Sequence, residues 1–455
     1  MTASRGGPGL PVIVLAAVVL IQAAAAPGQD ARDSAIWSHA PERFMLATGI
    51  PCVYQKDAAS PTTAVGLVIG GGRSAVPAAL DGLAAISTRL LLEIPDDGKV
   101  RELMAQATRL SYACLEDHSV VLVECLSEHL QQAVHTASRI IQDPLISSLR
   151  VGRAKDLMAA NMKAERDDAV AAARAAAFRA FFGGRGYGSA PFGTEAGLEA
   201  IARKDVFAYV RRVLVRPNVL FVVETDLEKD AIRELLEKSF DALPDGEAPG
   251  APLQEPALPE EPRVRLERES RQTYVGRAFA VPRAGLTDMA RGYLLETLLG
   301  KGPGSRLWPL RTDERLAYNV ETDLTWTRGA GLVIAYLEAG RAKAAEAGAA
   351  LDRVLEILAR EGVPQAEMEA TRTMARARFL RGLETKSPRL RTLGLFEILA
   401  PGAGGLSGFY EALGAVTRDD LNAFIHKILD PSRALALTVG PEGPKYPQGG
   451  DSWPR

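Results

Sequence analysis

The chain holds five histidines, His39, His118, His129, His135 and His426, and none stands at metal-ligand spacing. His129 and His135 share a helical stretch but lie six residues apart, whereas side chains three or four apart share a helix face, so both read as surface residues. His118 follows Glu116 and Asp117; this polar triplet joins two apolar runs and reads as a turn rather than as a metal site. Gly70, Gly71 and Gly72 are not followed by the Lys-Ser/Thr of a phosphate loop, nor spaced as in a dinucleotide fold, so they read as a flexible strand end. No G-x-S-x-G nucleophile motif is present. Three cysteines, Cys52, Cys114 and Cys125, sit among apolar neighbours. Their odd number and surroundings predict buried structural thiols and no disulfide framework.

The elements that would position such groups come next. The 455 residues exceed what one hydrophobic core usually organises, so two domains or more are expected. Hydrophobic residues make up 47% and charged residues 24%, the balance of a globular protein. A formal net charge of −2, with no Lys/Arg block interleaved with aromatics, gives nucleic acid no footing as a partner. The run from Leu10 to Ala26 follows Arg5 and ends in small residues, the order of a secretory signal peptide over residues 1–26. It is shorter than the ~20 residues a span requires, so an exported protein with no stable membrane span after signal removal is expected.

Residues 242–263, "ALPDGEAPGAPLQEPALPEEPR", are rich in Pro, Gly and Glu and read as an exposed linker. They divide the chain into halves, residues 32–241 and 264–445. Each half opens with a strand, a loop and a helix: "TTAVGLVIGGG" before "DGLAAISTRLLLE", and "TYVGRAFAVPRAG" before "LTDMARGYLLETLLGKG". The parallel implies an internal duplication. Further strands are expected at "ATRLSYACLED", "SVVLVECLS" and "NVLFVVETD", and helices at 128–142, 151–182, 226–240, 342–360 and 365–383. Hairpins alternating with long helices define an α+β class, two homologous halves each with a mostly antiparallel sheet and helices on one face.

Four stretches, "RLSYACLEDHSVVLVECLSEHLQQAVHTASRIIQDPLIS", "GRGYGSAPFGTEAGLEAI", "RPNVLFVVETDLEKDAIRELLEKSF" and "GSRLWPLRTDERLAYNV", resemble insulinase/pitrilysin-type zinc metallopeptidases, whose halves are like those of mitochondrial processing peptidase. In that family the helix after the first strand carries H-x-x-E-H. Its two His bind zinc, its Glu activates water, and a downstream Glu completes the metal shell. Matched on Gly82-Leu83-Ala84, the His positions fall on Ala85 and Arg89 and the Glu position on Thr88. The downstream ligand falls on Asn161. No thiolate, imidazole or carboxylate cluster is left for a dication, so no zinc is expected in this chain. Arg89 is open to two readings: an ion pair with a nearby carboxylate, which is favoured, or a guanidinium standing in for the metal's charge.

The resemblance implies one retained function. An Arg and a Tyr at the spacing of Arg311 and Tyr318 reach, in the family, across to the zinc site and hydrogen-bond the substrate backbone. Arg315 departs from the family, where many relatives have Gly or Gln. The alternative for these two is that Arg311 pairs with Glu314 or another acid at a helix end and Tyr318 is an ordinary strand aromatic. The chain thus reads as the zinc-less subunit of a periplasmic, bacterial two-subunit peptidase acting on peptides or unfolded polypeptide, inactive without a zinc-bearing homologous partner. The rival is a purely structural subunit of a larger complex. An autonomous hydrolase ranks last.

Overall fold

Thr62–Gly70 is β-branched or small except at Leu67 and buried at every inner position, the signature of a strand covered on both faces. In this computed structural model, which describes residues 41–94, 96–250, 253–283, 285–402 and 404–441, it lies inside the first of two sheets. The proposed signal segment lies outside the described residues.

In chain order the first half contributes β1 (Glu42–Met45), β2 (Pro51–Lys56), β3 (Thr62–Gly70), α1 (Leu83–Leu90), α2 (Asp97–Ala105), β4 (Arg109–Cys114), β5 (His118–Leu126) and α3 (Leu130–Gln142). There follow α4 (Ser148–Asp167), α5 (Ala169–Phe182), α6 (Glu195–Ala200), α7 (Arg203–Val213), β6 (Val219–Thr225) and α8 (Lys229–Ser239). The second half contributes β7 (Arg263–Glu267), β8 (Gln272–Pro282), α9 (Leu286–Gly300), α10 (Trp308–Thr312), β9 (Asn319–Trp326) and β10 (Ala330–Gly340). It ends with α11 (Ala344–Glu361), α12 (Gln365–Gly382), α13 (Lys386–Leu399), α14 (Gly405–Ala415), α15 (Arg418–Ile428) and β11 (Leu435–Gly440).

The strand orders are β1-β2-β6-β3-β5-β4 and β7-β11-β8-β10-β9. Apart from β1 they are the same pattern: β2 runs parallel to β6 as β7 does to β11, and every other neighbour is antiparallel. The α+β class with two like halves is therefore present. The stretch 151–182, expected as one helix, is two. Asp168 ends α4 and caps α5, accepting the Val170 and Ala171 N–H groups at 2.8 and 3.1 Å.

Each sheet carries its own helices on one face and a helix from the opposite half on the other. Helix α5 lays Ala173, Ala177, Phe178 and Phe181 against Tyr274, Ala278, Ile334 and Leu437 of the second sheet. Helix α13 lays Leu390 and Gly394 on β3 and β6 of the first. The approach is close enough that a Cβ on Gly66 would stand 2.3 Å from Leu390 Cδ2. Lys386, buried at the start of α13, donates to the carbonyls of Asp57, Ser60 and Thr62 at 3.2, 3.3 and 2.6 Å. This exchange interlocks the halves, and the chain from Pro41 on forms one compact unit. The segment read as an exposed linker is fastened too. Ala257 N–H donates to Phe181 O at 2.9 Å, and the Gln254 amide bridges Tyr187 N–H and Phe182 O.

Candidate functional site

Helix α1 is buried except at Arg89, its Ser87 and Thr88 included, as befits a helix enclosed by its own half. Its entry is made by Gly82, at φ 102°, a conformation that suits glycine, and a Cβ there would press into Leu198 at 2.8 Å. Thr88 turns its hydroxyl back to Ala84 O at 2.8 Å and lies 2.7 Å from Ser119 Oγ on β5. That hydroxyl is committed to packing. Ala85 is buried beside Asp81, Arg73, Ala190 and Pro191. Arg89 faces Glu93 one turn on, at 3.9 Å, and Glu93 also receives Arg150 at 3.4 Å.

Asn161 on α4 lines a cleft of about 410 Å³ together with Arg73, Glu116, Glu165, Phe178 and Phe192. Arg73 and Pro191 border both this cleft and the gap beside Ala85, so the structure gathers Ala85 and Asn161 around one guanidinium. Arg73 is ion-paired with Glu116, and Arg174 stands 3.9 Å from the same carboxylate. Burial pushes the Glu116 carboxyl up, but Arg73 and Arg174 outweigh it and hold the group below the usual carboxylate range. Burial wins at Asp81 and Glu165, which both lie above that range although Arg73 opposes the shift.

This donor set does not fit zinc. Ala85 offers no ligand, Thr88 and Asn161 offer neutral oxygens, Arg89 is a cation, and Arg73 already holds the positive charge beside the cleft. Among the described residues, no cluster of three or more His, Cys, Asp or Glu is arranged for a metal.

The Glu116-Asp117-His118 triplet makes the hairpin turn between β4 and β5, but it is buried, and Asp117 does more than turn the chain. Its carboxylate accepts the Tyr187 hydroxyl at 2.9 Å and the Arg328 N–H at 2.7 Å, while Gly329 N–H donates to the same hydroxyl at 3.0 Å. The two halves thus meet in a buried hydrogen-bonded knot beside the cleft. His118 is enclosed, and burial pushes its imidazole down to about 4, leaving it neutral at physiological pH.

Arg311 and Tyr318 border neither the cleft nor the gap at Ala85. Arg311, on the short helix α10, stacks 4.9 Å over the Trp308 ring, and Glu314 pairs instead with Arg353 at 3.2 Å. Tyr318 is 65% exposed, its backbone N–H held by Glu338 O at 2.8 Å. Between them Arg315 adopts φ 54°, in the left-handed region where glycine is at ease. That explains why a glycine would suit this turn. The three thiols are unpaired, with Cys52 and Cys125 buried, and burial pushes Cys52 up to about 12 and Cys125 to about 11.

Known proteins share both the sequence pattern and this architecture. Residues 200–374 match the family described as the Peptidase M16 inactive domain. An uncharacterised zinc protease of Mycobacterium bovis is 24% identical over 414 residues, covering 89% of this chain and 94% of its own length. One of Mycobacterium leprae is 23% identical over 417 residues, covering 89% and 92%. The fold is that of the peptidase M16 inactive domain of Pseudomonas fluorescens, with TM-score 0.80, 20% identity and 90% and 99% of the two chains covered. A protease of Helicobacter pylori matches with TM-score 0.79, 15% identity and 88% and 99% coverage. A chain of complex III2 from Candida albicans matches with TM-score 0.75, 13% identity and 88% and 95% coverage. The chain thus resembles the insulinase/pitrilysin-type zinc metallopeptidases in sequence pattern and fold and lacks the H-x-x-E-H motif.

Proposed function

We propose that this chain is the zinc-free subunit of an exported two-subunit peptidase, lending Arg311 and Tyr318 to a homologous partner that carries the zinc. The reading rests on one contrast. The helix that would hold the metal has no donor set and is packed shut, while Arg311 and Tyr318 stand on the surface with no ion pair among the described residues, Glu314 being drawn to Arg353. A guanidinium and a phenol at an open surface can donate to peptide carbonyls brought by another molecule. The Leu10–Ala26 run supports export, and the substrates would be peptides or unfolded segments.

The experiment is co-purification from the native compartment, followed by mixing with the zinc-bearing homologue at varied ratio. Peptide cleavage should peak at matched stoichiometry and vanish with chelator. Full activity of the isolated chain in the presence of chelator would overturn the proposal. A structural role is the second reading, favoured by the likeness to a chain of complex III2, which concerns the fold alone. It predicts stable assembly with no change in cleavage.

A further inference from the structure

The cleft of about 410 Å³ beside the vacant metal position carries more polar chemistry than the packing of the chain uses. Three side chains on its wall have no hydrogen-bond or ion-pair partner among the described residues: the Asn161 amide, the Glu165 carboxyl and the Ser189 hydroxyl. Asn161 and Glu165 stand one turn apart on α4 and so share a helix face. Ser189 has only 6% of its surface exposed, and its backbone N–H donates to Gly186 O, but its hydroxyl is unused. Polar groups drawn away from water are as a rule paired. Three left open around one cavity of ligand size call for a guest that pairs with them.

The charges say what kind of guest. Arg73 is committed to its ion pair with Glu116, and Asp168 to the first N–H groups of α5. Arg174 is held loosely, 3.9 Å from Glu116, and 46% of its side chain is exposed, so its guanidinium is free to turn to a ligand. Glu165 senses the charge of Arg174, yet the two make no ion pair, and a gap separates an open cation from an open carboxylate. A plain anion would meet Glu165 there, and a plain cation would meet Arg73 and Arg174. A zwitterion suits both. Phe178, whose ring centre lies 6.0 Å from the Arg174 guanidinium, and Phe192 add an aromatic wall that would cover an apolar side chain.

We infer that this cleft is a binding site for a free α-amino acid with a bulky apolar side chain. Arg174 and the Asn161 amide donate to its carboxylate, its ammonium donates to Glu165 and to Ser189 Oγ, and its side chain lies against Phe178 and Phe192. The site lies within this chain and does not depend on the role proposed for Arg311 and Tyr318.

The test is calorimetric titration of the full chain with L-phenylalanine and L-leucine, each compared with its N-acetyl form, its carboxamide and glycine. The free amino acids should bind at least about tenfold more tightly than either blocked form, because each block removes one charge-assisted contact. They should also outbind glycine, which has no side chain to bury. Glu165→Gln keeps the shape of the half-buried side chain and removes its charge. It should weaken binding about tenfold and erase the preference for a free ammonium, while the preference for a free carboxylate stays and the urea midpoint does not move. Lys163→Ala, on the exposed side of α4, should bind as the parent does. Blocked forms that bind as well as the free amino acids, a Glu165→Gln chain that binds as the parent does, or no binding of either amino acid at millimolar concentration would each overturn the inference.

Discussion

Glu224, at the end of β6, has no exposed surface, yet it faces the Asp57 carboxyl, and Arg389 reaches both carboxylates at 2.7 Å. Lys386 lies 3.8 Å from Asp57, so two acids and two bases meet where α13 docks on the first sheet. Burial is the largest influence on Glu224 and, with Asp57 beside it, pushes the carboxyl up to about 8 although Arg389 opposes the shift. Asp57 is itself raised by burial, but the Ala59 N–H, Lys386 and Arg389 bring it below the usual range. At neutral pH, then, Glu224 keeps a proton and shares it with an ionised Asp57. An acid whose folded value lies above its unfolded one stabilises the fold fully below the unfolded value, near 4.5. That contribution is lost as pH rises through about 8. Gln reproduces the protonated state, with its carbonyl accepting from Arg389 and its amide donating to Asp57. A tenfold change in proton affinity is worth ~1.4 kcal/mol, and coupling to Asp57 reduces the total, so Glu224→Gln should gain on the order of 3 kcal/mol over the parent at pH 9 and little at pH 5. Urea unfolding of both proteins at the two pH values measures it. An equal difference at both would show that Glu224 carries no extra proton and that the cluster is wrongly described.

Tyr187→Phe removes one hydroxyl from the knot between the halves and leaves the Gly329 N–H and an Asp117 oxygen without their partner. The loss should be on the order of 3 kcal/mol in urea unfolding, and a loss under about 0.5 kcal/mol would deny the knot its role. Leu390→Ala empties the contact of α13 with Gly66 and should cost about 2–5 kcal/mol, read as a lower denaturation midpoint; an unchanged midpoint would mean that the exchanged helix is not a fixed part of the fold. Elemental analysis after dialysis should find far less than one zinc per chain, whereas stoichiometric zinc would contradict the reading of α1.

Strands β3, β4, β5, β6 and β8, helices such as α1, α3, α9, α11 and α12, and the duplication could be read from periodicity because each half repeats the same apolar strand, loop and helix; β1, β2, β7, β9, β10 and β11 and the helices after Gly382 were not read. The parallel pairs β2–β6 and β7–β11 could not be read, since each joins residues more than a hundred apart. The helix exchange was hidden for a related reason. Apart from the exposed Arg174 and Arg179, α5 is small or apolar, so its sequence marks a buried face without saying against which half it is buried. Asp168 looked like one more residue in a long helix, although an aspartate that accepts two N–H groups begins a new one. The turn at Asp117 was recognised from local residue types, but its partners, Tyr187 and Arg328, lie 70 and 211 residues away. Arg311 and Tyr318 came from motif spacing alone. Their exposure became visible only with Glu314 drawn off to Arg353.

Whether this chain completes a partner's active site is decided by peptide turnover in the assembled complex carrying Arg311→Ala or Tyr318→Phe in this chain. If the phenol donates to an oxygen that gains negative charge in the transition state, Tyr318→Phe lowers kcat by about a hundredfold. Arg311→Ala, which loosens a carbonyl farther from the bond being cut, acts mainly by raising KM. Under this proposal both variants should still co-purify with a zinc-bearing partner as the parent should. A complex carrying both substitutions that assembles normally and cleaves peptides at the parental rate would refute the trans-acting role of this chain.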